Sequence, residues 1–265
     1  MTNSQRKASD FVDETRLWQR HMELASFGAT ALGGVNRQAL SHEEIDARKE
    51  LFKWAEELNL KPLCDDAGNL FFRKEGINSD LDPVMTGSHI DSQPTGGKFD
   101  GAYGVLAGFE AIQALAEAGI KTKRSIEIAV WMNEEGSRFA PGMMGSEAFS
   151  GIRPLEKILE VKDNSGISVR ESLKTVLAAT PSAESIPVRR PVSAFIEAHI
   201  EQGPILERHC KTIGVVTGIQ GVRRMRVEVK GEDAHAGTTP RAGRKDALWE
   251  ASRMVSALHE KLYVD

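Results

Sequence analysis

His89 and Asp91 close the run Gly87-Ser88-His89-Ile90-Asp91, Asp100 sits in Lys98-Phe99-Asp100-Gly101, and Glu134 and Glu135 are adjacent in Asn133-Glu134-Glu135-Gly136. A second imidazole, His199, lies in Glu197-Ala198-His199-Ile200-Glu201-Gln202-Gly203. Imidazoles with several carboxylates form the ligand mixture that Zn²⁺ or Mn²⁺ favours. Together the four segments read as most of a two-metal hydrolytic site. Two adjacent carboxylates suit such chemistry because they can divide its labour. One binds metal, while the other takes a proton from a water whose pKa the metal lowers to about 7 and returns it to a leaving nitrogen. No later histidine completes a third ligand position.

Each residue also has a plainer reading. A lone histidine at a strand end is ordinarily a hydrogen-bonded core residue, and Glu134-Glu135 alone could be a solvated turn. The combination shifts the balance. Asp91, two residues after His89, is placed to accept the second imidazole N–H and fix the tautomer. Gly96 and Gly97 allow the chain to fold back and bring Asp100 beside the imidazole. Glu134-Glu135 follows the next strand and His199 a later one, and adjacent residues leaving a strand point in different directions.

The elements that position these groups follow from periodicity. Amphipathic helices are expected over Glu14–Ala25 and His42–Leu58, the second with a capping box from Ser41 and Glu44. Lys61–Cys64 and Asn69–Arg73 flank Asp65-Asp66-Ala67-Gly68 and predict a hairpin. Pro83–Gly87 reads as a strand ending at His89. Gly101–Gly119 reads as a helix burying Val105, Phe109 and Ile112, with Glu110, Gln113 and Glu117 facing away. Arg124–Met132 alternates as a strand that stops at Asn133-Glu134-Glu135. Strand, helix, strand implies a parallel crossover, and open α/β sheets bind ligands at the carboxyl ends of their strands. Arg153–Arg190 reads as intermittently helical, with no chemistry in it, and Val192–Ile200 as a strand ending at His199. Lys211–Ile219 and Val222–Val229 read as paired strands before a helix over Asp246–Leu258. The expected fold class is therefore α/β: a mixed, largely parallel sheet flanked by helices over residues 1–212, and over 213–265 the first part of a smaller α+β unit.

Composition excludes several other functions. The 265 residues carry 34 lysines plus arginines against 38 aspartates plus glutamates, a formal charge of −4 that gives no basic footprint for nucleic acid or an anionic membrane. No run of about 18 apolar residues occurs, and the start lacks an apolar signal core. Cys64 and Cys210 stand in no metal-type spacing, as a reducing compartment allows, so a cytoplasmic small-molecule enzyme is expected.

Four segments carry a family resemblance: Gly87–Gly101 through Gln93-Pro94-Thr95-Gly96-Gly97, Asn133–Phe139, His199–Glu207, and Ala234-His235-Ala236-Gly237-Thr238-Thr239-Pro240. In order and content they resemble the dinuclear-zinc N-carbamoyl amino acid amidohydrolases, a group that includes N-carbamoyl-L-amino acid hydrolase, β-ureidopropionase and allantoate amidohydrolase. The resemblance spans essentially the whole chain. It implies a zinc-exopeptidase-like fold with a lid and dimerisation domain, two divalent ions (Zn²⁺, with Mn²⁺ as the alternative), and attack by metal-bound hydroxide on the carbamoyl carbon. By the same resemblance Asp100 bridges the metals, His89 and His199 complete one metal's ligands, Glu135 binds the other, and Glu134 is the general base. Gln202, with Gln93, would contact substrate. His235 would stabilise the oxyanion across a homodimer, although from the residues alone a turn histidine beside Gly237 and Pro240 is the simpler reading.

The pattern departs from the family in two main respects and one smaller one. A further histidine ligand in a Gly-His-Asp context and a substrate-binding arginine and asparagine have no counterpart here, so the chain reads as the first two-thirds of such an enzyme. Arg241 stands where the family often has an apolar residue, while Arg244 and Asp246 match. Two competing readings follow: a metallo-aminopeptidase or deacylase with the same site, against which the short His89–Asp100 spacing argues, and a catalytically inactive remnant.

Overall fold

The computed structural model describes residues 7–223 and 225–262, and the chain divides into two compact units after Ile205. In the first unit, α1 (Glu14–Ser26) and α2 (His42–Glu57) precede the hairpin β1 (Lys61–Asp65) and β2 (Leu70–Lys74). Then come β3 (Val84–His89), α3 (Ala102–Glu117), β4 (Ile126–Trp131), α4 (Met144–Ser150), α5 (Leu155–Leu159), α6 (Val169–Ala179), β5 (Glu184–Ile186) and β6 (Ala194–Ile196). The short helix α7 spans Ile205–Arg208, and α8 (Ala247–Leu262) lies in the second unit.

The six strands form one mixed sheet in the order β5-β1-β2-β4-β3-β6. β1 with β2 and β2 with β4 are antiparallel, while β1 with β5, β3 with β4 and β3 with β6 are parallel. The hairpin and the parallel β3-α3-β4 unit are as the sequence predicts. One sheet face is covered by α2 and α3 through Leu51, Trp54, Phe72, Phe109 and Ile128, and α1, packed on α3, joins the same cluster through Leu24. Smaller clusters gather Phe71, Met85 and Trp131 with the partly buried Phe149, and join α4, α5 and α6 through Met144, Ile158 and Val176.

Several expectations are corrected. Ser41 does cap α2 through the Glu44 amide at 3.3 Å, but the Glu44 carboxylate accepts from the Leu40 amide and pairs with buried Arg48 at 2.9 Å. It therefore bonds one residue upstream of a capping box. Glu110 does not face away: it is buried and pairs with Arg16 of α1 at 2.6 Å. α1 crosses that face of α3 and brings a guanidinium with it, so the carboxylate is buried with its partner. The strand expected over Val192–Ile200 contracts to Ala194–Ile196, where pairing with β3 ends. β5 and α4 lie in stretches where no such element was expected.

The paired strands expected over Lys211–Ile219 and Val222–Val229 are absent among the described residues, position 224 lying outside them. Ile213, Val215, Ile219 and Val227 are exposed there instead. β-branched composition makes a strand only where another strand and a covered face receive it. The helix that follows forms as expected, its first turn capped by Asp246 accepting the Trp249 amide at 3.0 Å.

Candidate metal centre and active site

In the parallel register of β3 and β4, His89 stands opposite Trp131, so the two strands end level. The chain leaving β3 carries Asp91, and the chain leaving β4 carries Glu134 and Glu135. Asp91 ties the two exits together: its Oδ1 accepts the Glu134 amide at 3.2 Å and its Oδ2 the Glu135 amide at 3.1 Å. Its backbone carbonyl, not its carboxylate, makes the closer contact to His89 Nδ1, at 2.9 Å against 3.5 Å for Oδ1. Both contacts orient the ring and leave Nε2 facing the site.

Asp100 reaches the imidazole through the turn that starts α3. Gly101 adopts φ +65°, and a Cβ there would lie 2.3 Å from His89 Nε2. Backbone conformation and space both require glycine at this position. His199, past β6, brings Nε2 to 3.3 Å from Asp100 Oδ1, its Nδ1 lying 2.8 Å from the Ile200 carbonyl. His89, Asp100 and His199 each offer a ligand atom within 4.8 Å of the others. Two imidazoles with outward nitrogens and a shared carboxylate suit a borderline divalent ion.

The Glu134 carboxylate lies 3.3 Å from His89 Nε2. Burial raises its pKa; the nearby His89 opposes this, and Asp91, Glu135 and Asp100 add to it. For His89, burial alone would lower the pKa, but hydrogen bonding and charge from Asp91, with Glu134, outweigh it and raise it to about 9. The pocket thus stabilises positive charge at His89, and a divalent cation answers the same carboxylate field.

Glu135 is not part of the three-residue cluster; its Oε2 accepts from the Gln93 amide at 2.7 Å. Gln202, at φ +56°, donates to Asp100 Oδ2 at 2.6 Å. Both amides that the resemblance assigns to substrate therefore hold site carboxylates. His235 belongs to the second unit, where its Nδ1 accepts the amides of Gly237 and Thr238, each at 3.1 Å. That turn makes the neutral ring the Nε2–H tautomer.

Sequence reading passed over Arg37. Its buried guanidinium donates to the carbonyls of Ile90 at 2.8 Å, Leu24 at 2.7 Å and Phe27 at 2.8 Å, gripping the segment between His89 and Asp91. Burial pulls its pKa down to about 10. Ser88, which bonds Glu197 beside His199, was also missed. A lone arginine after Gly33-Gly34 has no periodic or motif signal to single it out.

The model of peptidase family M20/M25/M40 matches residues 85–262, from β3 through α8. The chain belongs to this family. Among its M20 relatives, N-carbamoyl-L-amino-acid amidohydrolases from Rhizobium meliloti and Geobacillus stearothermophilus are 43% and 41% identical, over 92% and 94% of this chain. An allantoate amidohydrolase from Bacillus subtilis is 39% identical over 89% of it. The chain spans 58%, 61% and 57% of those three relatives. A solved hydantoinase/carbamoylase family amidase from Burkholderia ambifaria superposes with a TM-score of 0.78 at 41% identity, covering 94% of this chain and 60% of the other. No helix among the described residues is long and apolar enough to cross a membrane.

Proposed function

We propose that this chain carries the metal-binding and proton-transfer part of an amidohydrolase that cleaves the carbamoyl C–N bond of N-carbamoyl amino acids. The observation that carries the reading is the Glu134 carboxylate held 3.3 Å from Nε2 of His89, at the edge of the His89–Asp100–His199 cluster. The relatives' names give the substrate class its support.

In this reading His89, Asp100 and His199 would hold a divalent ion, and Glu135 is the carboxylate that would serve a second one. Zn²⁺ or Mn²⁺ bound there supplies the Lewis acidity that lowers a water's pKa and polarises the carbamoyl carbonyl. Glu134, whose pKa burial raises, accepts the proton of the attacking water and passes it to the departing amine nitrogen. The products are the free amino acid, CO₂ and ammonia. Gln93 and Gln202 fix Glu135 and Asp100 and present their amides to substrate. By the family resemblance, His235 of a second copy would donate its Nε2–H to the developing oxyanion. The exposed stripe Leu248, Val255, Leu258 and Leu262 on α8 supports pairing of two copies through the second unit, which light scattering on the purified chain tests. Two free thiols, Cys64 and Cys210, suit a cytoplasmic setting.

A second reading is a chain that binds metal without turnover. It draws on Glu135, whose carboxylate is engaged by Gln93 and stands outside the cluster. One experiment separates them: hydrolysis of N-carbamoyl-L-amino acids, N-carbamoyl-β-alanine, allantoate and a dipeptide by the wild-type chain and by Glu134→Gln, with metal content measured on both. Carbamoyl turnover that disappears in Glu134→Gln while metal remains supports the proposal. Turnover of allantoate alone moves the substrate to the neighbouring branch, dipeptide hydrolysis alone points to peptidase chemistry, and metal without turnover supports the second reading.

A further inference from the structure

α1 belongs to no motif, yet it packs on both sides of the turn that carries Asp100. His21 is 3% exposed, its ring stacked on Tyr103 at a centroid distance of 5.9 Å and edge-on to Phe99 at 5.4 Å. Trp18, one helical turn back, covers Phe99 at 5.7 Å. Phe99 immediately precedes Asp100, and Tyr103 lies in the first turn of α3. The Tyr103 amide donates to the Phe99 carbonyl at 3.0 Å and the Ala102 amide to the Asp100 carbonyl at 2.6 Å. The two aromatic side chains touched by α1 are thus joined by the backbone turn that aims the Asp100 carboxylate.

Polar contacts anchor the helix to α3. Arg16 pairs with Glu110 at 2.6 Å and Glu117 at 2.8 Å, and Arg20 donates to Gln113 at 2.8 Å. Neither ring nitrogen of His21 has a hydrogen-bond partner among the described residues. His21 therefore acts on its neighbours as an aromatic plate and not as a donor or acceptor. A shift of the Phe99–Tyr103 turn would move Asp100 relative to His89 on β3 and His199 past β6, neither of which α1 carries.

We propose that Trp18 and His21 are positioning residues for the metal centre: by clamping Phe99 and Tyr103 they set the direction of the Asp100 carboxylate. The inference rests on the reading of His89, Asp100 and His199 as ligands. Removing a group that orients a metal ligand without touching the metal typically costs about 10–100-fold in metal affinity.

The test is Zn²⁺ affinity of the 265-residue chain, measured by competition with a chromophoric chelator, alongside thermal unfolding of the metal-free protein. His21→Ala is expected to weaken Zn²⁺ binding about tenfold or more, and His21→Phe, which keeps the plate, to restore most of it. Half-exposed Trp18→Ala, which puts little folding stability at risk, is expected to weaken binding about threefold or more. Val176→Ala, a cavity in the separate α4–α6 cluster, is expected to lower the unfolding temperature with Zn²⁺ affinity unchanged. Unchanged affinity in Trp18→Ala, or equal losses in His21→Ala and Val176→Ala, would overturn the proposal while leaving the metal site standing. A wild-type chain that binds no Zn²⁺ would overturn the site and the proposal together.

Discussion

Gly101 lies so close to His89 that a side-chain carbon on it would meet the imidazole Nε2 at 2.3 Å. The nitrogen that would meet a metal is therefore left clear by the absence of a side chain. Gly101→Ala should abolish metal binding and lower folding stability by about 1–3 kcal/mol, because it adds both a clash and a left-handed backbone that alanine disfavours. Metal content and denaturant unfolding on one sample check both effects.

Glu134→Gln keeps the shape of the side chain and removes its proton chemistry. Turnover should fall by a factor of about 10²–10⁴ while bound metal stays near the wild-type level. Normal turnover in the variant would remove Glu134 from its role.

Metal uptake should be coupled to proton release. The raised pKa of His89, about 9 in the metal-free site, means that the ring carries a proton at neutral pH. A metal must displace it, so apparent affinity rises with pH until the ring is neutral on its own. Calorimetry in two buffers of different ionisation enthalpy measures the protons released; a buffer-independent heat would contradict the picture.

His21 predicts a stability effect at acid pH. Burial lowers its pKa from 6.5 to about 4. Between those values the unfolded chain binds more protons than the folded one, so this contribution is complete above pH 6.5 and is lost as pH falls toward 4, by about 3 kcal/mol at most. Asp65, which burial raises to about 6, works in the opposite sense over much of the same interval. The difference between wild type and His21→Phe is therefore the quantity to measure: the variant should gain relative stability as pH drops, and parallel pH curves would count against the assignment.

What could be read from sequence was mostly local. The hairpin around Asp65 and the β3-α3-β4 unit announce themselves through short-range periodicity and turn residues, and His89, Glu134 and His199 stand out because they follow strands. Asp91 was placed beside His89, but its grip on the Glu134 and Glu135 amides depends on two strands ending level, which no short motif encodes. Glu110 read as a surface residue because its partner Arg16 lies far away in sequence. Ile213, Val215 and Val227 have strand composition without a strand, since pairing is a property of neighbours and not of the segment.

Every role assigned to Glu134 and its neighbours depends on a divalent ion held by His89, Asp100 and His199. Elemental analysis of the purified 265-residue chain after Zn²⁺ loading and removal of free metal tests it directly, with His199→Ala treated identically. At least one Zn²⁺ per wild-type chain is expected, and its loss from His199→Ala. Absence of bound metal from the folded wild-type protein, or equal metal in both, would rule out these three residues as a metal site.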